Sequence, residues 1–325
     1  CVAQFAAVRN EKSEFLYDET DAPVYFLAWT TTPWTLPSNT ALAVGADITI
    51  VRIRTFNPYT FEPVTIVMAK ALVPTLFPEN NQEIAIEAFQ PGDKRIPFRV
   101  LNEFPGSALE GISYEQLIGW VNPGAGAFRV LLGDFVTTED GTGIVHIAPT
   151  FGADDFRVAR KYDVPPLLVT DSSRNQGPLV DRKGRFIRIE DLNPDFLKER
   201  VNLEEYGAFA GRYVKNEYDA SLGEGDNTVD IDIAVYLKKQ NKVFRIEKHV
   251  HNYPHCWRTD KPVLYYPLDS WFIKTTALKD RLIALNETIN WKPESTGSGR
   301  FGKWLENLVD WNLSRSRYWG TPLPV

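Results

Sequence analysis

The sequence has 325 residues, 43% hydrophobic and 24% charged, with a formal net charge of −6 and only two cysteines. Its length exceeds what one hydrophobic core usually supports, so two domains, or one domain plus part of a second, are expected. The balanced composition excludes disordered and collagen-like classes; no apolar run nears the roughly 20 residues that span a bilayer; and the acidic balance leaves only local contact with RNA.

The chain starts at Cys1 with no initiator methionine, basic stretch or cleavage site, which reads as a piece cut from a longer protein without a targeting signal. Cys1 and Cys256 are too few for a secreted disulfide framework and fit a reducing cytoplasm. The first unusual segment runs from Ala28 to Asn39, with Thr30, Thr31, Thr32 and Thr35 between Trp29 and Trp34. Pro33 and Pro37 argue against a regular helix. An edge strand and turn would use threonines for β-propensity alone. A pocket would use their hydroxyls and amides as donors and acceptors, with Trp34 as a wall. The residue types leave both open.

Residues 48–56, 63–69 and 82–89 read as strands, rich in β-branched residues and bounded by Pro, Asn and Gly. Residues 128–148 add two more runs, separated by a hairpin-type turn at Glu139 to Gly143 whose glycines permit positive φ. His146 lies in the second run, where a lone histidine is more often a satisfied core residue. A helix is expected from about Gly152 to Tyr162, with Asp154 and Asp155 near its N-terminus; an aspartate there is more often a cap. Beyond about residue 212 the pattern changes, and Thr275 to Ile289 and Gly299 to Arg315 read as longer helices. The domains are therefore placed at 1–212 and 213–325. Phe301, Trp304, Leu305 and Leu308 recur at helical spacing, which predicts a buried face.

The sequence lacks a phosphate-binding Gly-x-x-x-x-Gly-Lys-Ser/Thr loop, a His-Glu-x-x-His zinc motif and a Gly-x-Ser-x-Gly elbow, so those enzyme classes lose their residues. His249, His251, His255 and Cys256 do not form a strong zinc spacing, and no metal is expected.

Two long segments carry more. Thr30 to Pro37 reads Thr-Thr-Thr-Pro-Trp-Thr-Leu-Pro, and Gly141 to Asp155 reads Gly-Thr-Gly-Ile-Val-His-Ile-Ala-Pro-Thr-Phe-Gly-Ala-Asp-Asp. Together with Leu109 to Leu117 between them, and Trp311 to Pro322 at the end, they resemble the class I aminoacyl-tRNA synthetases that carry an inserted editing domain. Valyl and leucyl relatives have Thr-Thr-Arg-Pro and an acid at the first segment, so the resemblance is to the isoleucyl type. Neither the His-Ile-Gly-His nor the Lys-Met-Ser-Lys-Ser signature of the family's ATP site occurs. In some relatives a second cysteine helps hold zinc where Thr259 stands here.

The resemblance implies a mixed α/β fold: a β-rich, barrel-like editing domain with inserted helices, then an α-rich connector leading back to a Rossmann-type catalytic domain. It implies hydrolysis of valine from mischarged tRNA(Ile), and of valyl-adenylate. Such a second sieve is needed because one methylene is worth only about 1–3 kcal/mol in a hydrophobic pocket, a limit for which this class of enzyme is itself a standard example. By the same resemblance Thr30, Thr31, Thr32, Thr35 and Asn39 line the pocket, Thr32 and Asn39 position water, and Trp34 shapes the wall. His146 stops the substrate side chain, Asp155 pairs with its ammonium group, and Asp154 caps the helix. The implied partners are the tRNA(Ile) 3′ end and the rest of the synthetase, acting as a cytoplasmic monomer. No cofactor is expected within these residues, and ATP and Mg belong to the full-length enzyme. The alternatives are a catalytically silent tRNA-binding insert, or a valyl-type domain acting on Thr-tRNA(Val), from whose Arg-Pro-Glu pattern Thr32-Pro33-Trp34 departs.

Overall fold

The computed structural model describes residues 1–17, 22–223, 225–250 and 252–315. The chain forms two compact units, Cys1–Tyr266 and Pro267–Val325. The strands of the first unit are β1 (Val2–Ala6), β2 (Val24–Trp29), β3 (Ala41–Val44), β4 (Thr49–Phe56), β5 (Pro63–Ala69), β6 (Arg99–Pro105), β7 (Arg129–Leu132), β8 (Ile144–Ile147), β9 (Val169–Thr170), β10 (Gln176–Gly177) and β11 (Val243–Arg245). Its helices are α1 (Val73–Leu76), α2 (Ala153–Lys161), α3 (Pro194–Arg200), α4 (Leu203–Tyr206) and α5 (Val229–Lys239). The fold is mixed α/β.

Six strands form one sheet in the order β11-β1-β2-β5-β4-β6, and β7-β3-β8 form a second. Phe5, Phe26, Leu27, Ile50, Ile53 and Ile66 are fully buried, each burial contributing about 1.5–3 kcal/mol. The expected strands at 48–56 and 63–69 are β4 and β5, paired antiparallel from Ile50↔Ala69 to Phe56↔Pro63.

Four expectations are corrected. Residues 82–89 form no strand: β6 takes the free edge of β4, leaving Ile86–Ala88 as an exposed 3-10 turn held by Phe89 stacked on Phe56 at 4.2 Å. The runs in 128–148 do not pair as a hairpin. Instead β3 lies between them, parallel to β7 and antiparallel to β8, although Gly141 and Gly143 do adopt φ of 76° and 72°. The boundary near 212 moves to Tyr266. β11 completes the main sheet against β1, and α5 buries Val229, Ile233 and Leu237 on one face, so residues 213–266 belong to the first core. These β11 and α5 contacts are long-range in sequence, which is why a change in local pattern mislocated the boundary.

The fourth correction lies in the second unit. A 3-10 turn at Thr275–Leu278 leads into α6 (Lys279–Glu287), as expected, but the second helix is only α7 (Gly302–Glu306) after a π turn at Thr296–Phe301. Past it, Asp310 accepts bonds from the Thr276 N–H and hydroxyl, at 3.1 and 2.6 Å. β13 (Trp311–Asn312) pairs with β12 (Phe272–Ile273), so the chain leaves the helix to close this ribbon. Of the expected buried stripe only Leu305 is buried, while Trp304 is 57% exposed. Of the expected return to a Rossmann-type domain at Trp311 to Pro322, the part from residue 316 lies outside the described residues.

Candidate active site

β2 ends at Trp29, and the threonine-rich segment folds back over the end of the sheet. The Thr30 hydroxyl accepts the Thr32 N–H at 3.1 Å and lies 3.4 Å from the Thr32 hydroxyl. Pro33–Ser38 then form a wholly buried 3-10 turn, which the two prolines favour by fixing φ. β8 and the start of α2 come alongside. Together they line an open pocket of about 320 Å³ whose wall includes Trp29, Thr30, Thr31, His146 and Asp155. Gly143 makes this approach possible: at φ 72° a Cβ would lie 2.3 Å from that of Ala69 in β5, so a side chain there would push β8 away.

His146, paired with Leu42 across the sheet, is buried. Its Nε2 lies 3.2 Å from the Thr35 hydroxyl, which itself donates to the Thr32 carbonyl at 2.9 Å. A hydroxyl has one proton, and a backbone carbonyl can only accept. Both contacts are hydrogen bonds only if Nε2 carries the imidazole proton and donates to Thr35. Nδ1 is then the lone-pair nitrogen, and it is buried without a protein partner. Burial lowers the pKa to about 4, so the ring is neutral at pH 7.

Asp155 stands in the first turn of α2. Its Oδ2 accepts the Ala148 N–H at 2.8 Å, tying the helix start to the end of β8. Burial raises its pKa to about 6, against the lowering effect of that backbone bond, with neighbouring Asp154 adding a further push upward. Gly152 is the N-cap residue, and a Cβ on it would lie 2.7 Å from the Asp155 carboxyl carbon. Gly152→Ala is therefore expected to displace the Asp155 carboxylate. A deacylation assay should show a loss of about tenfold, the lower end of what one charge-assisted bond is worth, with α2 intact by circular dichroism.

Residues 11–325 match the family described as tRNA synthetases class I (I, L, M and V). The chain belongs to this family. Over its whole length it is 60% identical to the isoleucine–tRNA ligases of Bacteroides fragilis (strain YCH46) and Porphyromonas gingivalis (strain ATCC BAA-308 / W83), and it spans 28% of the length of each. It is 40% identical, across 93% of its length, to that of Clostridium acetobutylicum, of which it spans 23%. Among solved structures, the editing domain of the Plasmodium knowlesi cytosolic leucyl-tRNA synthetase aligns over 82% of this chain and 95% of its own, at a TM-score of 0.41 and 10% identity. The leucyl-tRNA synthetase structure titled GlLeuRS-CP1 aligns over 50% of this chain and 64% of its own, at a TM-score of 0.36 and 20% identity.

In this class I synthetase chain the expected site residues divide. Thr30, Thr31, His146 and Asp155 share the cavity wall; Thr32, Trp34, Thr35 and Asn39 are not on it. Thr32 meets it through the Thr30 hydroxyl, and Thr35 stands behind His146. Asn39 is buried, with its amide donating to the Ala41 carbonyl at 2.7 Å and its carbonyl accepting from the Tyr114 hydroxyl at 2.7 Å. Those partners use the side chain as a brace between the turn and β3. Trp34 packs edge-on to Phe151 at 4.9 Å, away from the wall of this cavity. Asp154 is not the cap: it is exposed and paired with Arg157 at 2.9 Å.

Sequence reasoning missed Trp29, Phe135, Thr137 and Asp140, which also line the cavity. β2 is a continuous apolar run, VYFLAW, with nothing to single out Trp29, and the others come from a loop without periodicity. A cleft of about 550 Å³ between Asn122, Arg174 and Arg200 holds none of the expected residues. No cluster of three metal-ligating side chains occurs among the described residues, and none of their helices is long and apolar enough to cross a membrane.

Proposed function

We propose that this chain hydrolyses the ester that joins valine to mischarged tRNA(Ile), and valyl-adenylate by the same chemistry. The observation that carries the reading is the meeting of Thr30, Thr31, a neutral His146 and Asp155 on one small cavity. An α-ammonium group needs a carboxylate, and of the two acidic residues on the wall, Asp140 and Asp155, Asp155 is the one held against the end of β8 that carries His146. An aliphatic side chain needs a neutral end wall, and His146 with a pKa of about 4 provides it. A ribose and an attacking water need hydroxyl donors and acceptors, which Thr30 and Thr31 supply with Thr32 behind them.

The step is direct hydrolysis. Water adds to the ester carbonyl carbon, the bond to the ribose oxygen breaks, and that oxygen leaves with a proton, giving free valine and tRNA. The ester is already activated, so orientation and hydrogen bonds to the developing oxyanion lower the barrier sufficiently without a covalent nucleophile. The identity with isoleucine–tRNA ligases supports tRNA(Ile) as the carrier. A cytoplasmic monomer working with the remaining domains of a synthetase, which themselves use ATP and Mg, completes the proposal.

The test is a deacylation assay on valyl-tRNA(Ile) and isoleucyl-tRNA(Ile). Valine release with isoleucine retained is the expected result; release of neither would turn the reading toward a silent tRNA-binding insert, and preferential release of threonine from tRNA(Val) toward the valyl type. The chain is also expected to show no isoleucine-dependent ATP–pyrophosphate exchange, because residues 1–325 contain neither ATP-site signature. Exchange by the purified chain would refute that prediction.

A further inference from the structure

Asp230 lies nearly two hundred positions from the threonine-rich turn, yet it holds that turn. Its Oδ1 accepts the Trp34 N–H at 2.9 Å, and its Oδ2 faces the Lys215 ammonium at 3.3 Å, with the two side chains only 20% and 16% exposed. The Trp34 N–H follows Pro33, which has none, and so is the first free donor of the 3-10 turn. The opening N–H groups of such a turn have no partner inside it; here the partner is a carboxylate, the stronger kind of acceptor.

The next residue is Thr35, whose backbone and hydroxyl both bond the Thr32 carbonyl, at 3.0 and 2.9 Å. That hydroxyl in turn accepts from His146 Nε2. A continuous path therefore runs from Lys215 through Asp230 and the turn to the histidine. α5 carries a second tie, Asp232 to Arg212 at 2.6 Å, but among the described residues that pair bonds no atom of the turn.

We propose that Asp230 is a positioning residue for valine selection: by fixing the turn it sets the place and tautomer of His146, and hence where the pocket ends. This rests on the editing reading above for its consequence in specificity, but not for its consequence at the histidine.

The experiment compares Asp230→Ala, Asp230→Asn and, as control, Asp232→Ala. With ¹⁵N-labelled histidine, only four histidines contribute signals, and loss of one in His146→Ala assigns it. Wild type and Asp232→Ala should show His146 protonated on Nε2. Asp230→Ala should show a mixture of tautomers, and Asp230→Asn, which keeps an acceptor, should restore the single form. In deacylation, Asp230→Ala should raise the isoleucyl-to-valyl rate ratio by about tenfold, as expected for loss of one hydrogen bond to a charged group, with Asp230→Asn within about threefold of wild type. If Asp230→Ala does not fold, Asp230→Glu carries the test, since it keeps the charge but moves the oxygens by one methylene; its ratio should shift the same way.

An unchanged tautomer and an unchanged ratio in folded variants would overturn the proposal, as would equal effects in Asp232→Ala. A wild-type chain that deacylates neither tRNA would instead remove the editing reading, and the tautomer would still decide whether Asp230 positions His146.

Discussion

His146→Ala is expected to begin removing isoleucine from correctly charged isoleucyl-tRNA(Ile) while keeping activity on valyl-tRNA(Ile). The argument is steric. The cavity is small, about 320 Å³, and His146 forms part of its wall. Excluding one methylene is worth about 1–3 kcal/mol, so removing the ring should raise isoleucyl deacylation by roughly ten- to a hundred-fold. A base role makes the opposite forecast, loss on both substrates. Three features disfavour it: a pKa of about 4 makes a weak base at neutral pH, Nε2 is used on Thr35, and Nδ1 is buried. A folded variant inactive on both tRNAs would reverse this assignment.

The same residue sets a stability signature. Its folded pKa, about 4, lies below the ordinary 6.5, so the fold favours the neutral form. That stability is complete above pH 6.5 and is lost as pH falls toward 4, up to about 3 kcal/mol in all. Denaturant titrations of His146→Ala across this window should show a shallower acid decline than wild type.

The sequence made the site more legible than the scaffold. Thr30 to Pro37 and Gly141 to Asp155 carry dense local patterns, and four of their residues do converge on one cavity. β4 and β5 were readable because their β-branched runs are bounded by turn residues. What stayed hidden depends on partners distant in sequence. β3 separates β7 from β8, α5 anchors the threonine-rich turn, and the Tyr114 hydroxyl occupies Asn39. The β-branched, turn-bounded run at 82–89 read as a strand, but pairing requires an available edge, and β6 already holds it. Trp34 illustrates the same limit: its place in the motif was evident, while its ring packs on Phe151 and its backbone N–H is held by Asp230, both distant in sequence.

Asp155→Asn is expected to cut valyl-tRNA(Ile) deacylation by about ten- to a hundred-fold, since the lost charge-assisted bond to the substrate ammonium is worth about 1.5–3 kcal/mol. Asparagine is a cleaner probe than alanine because its carbonyl oxygen can still accept the Ala148 N–H, whereas Asp155→Ala also gives up that bond, at a cost of about 1 kcal/mol. The sign of the stability effect separates the two roles further. Burial raises the folded pKa to about 6, above the unfolded value, so the fold favours the protonated acid. Its stabilising contribution is present at low pH and declines as pH rises through about 6. Asparagine removes that decline, so the variant should be at least as stable as wild type at pH 7. In the wild type, kcat/KM for valyl-tRNA(Ile) should rise with pH through about 6 as the free carboxyl ionises. The apparent value in kcat should lie lower, because a bound ammonium holds the carboxylate charged. An Asp155→Asn protein with wild-type rates and an unchanged pH profile would mean that Asp155 serves only to join α2 to β8.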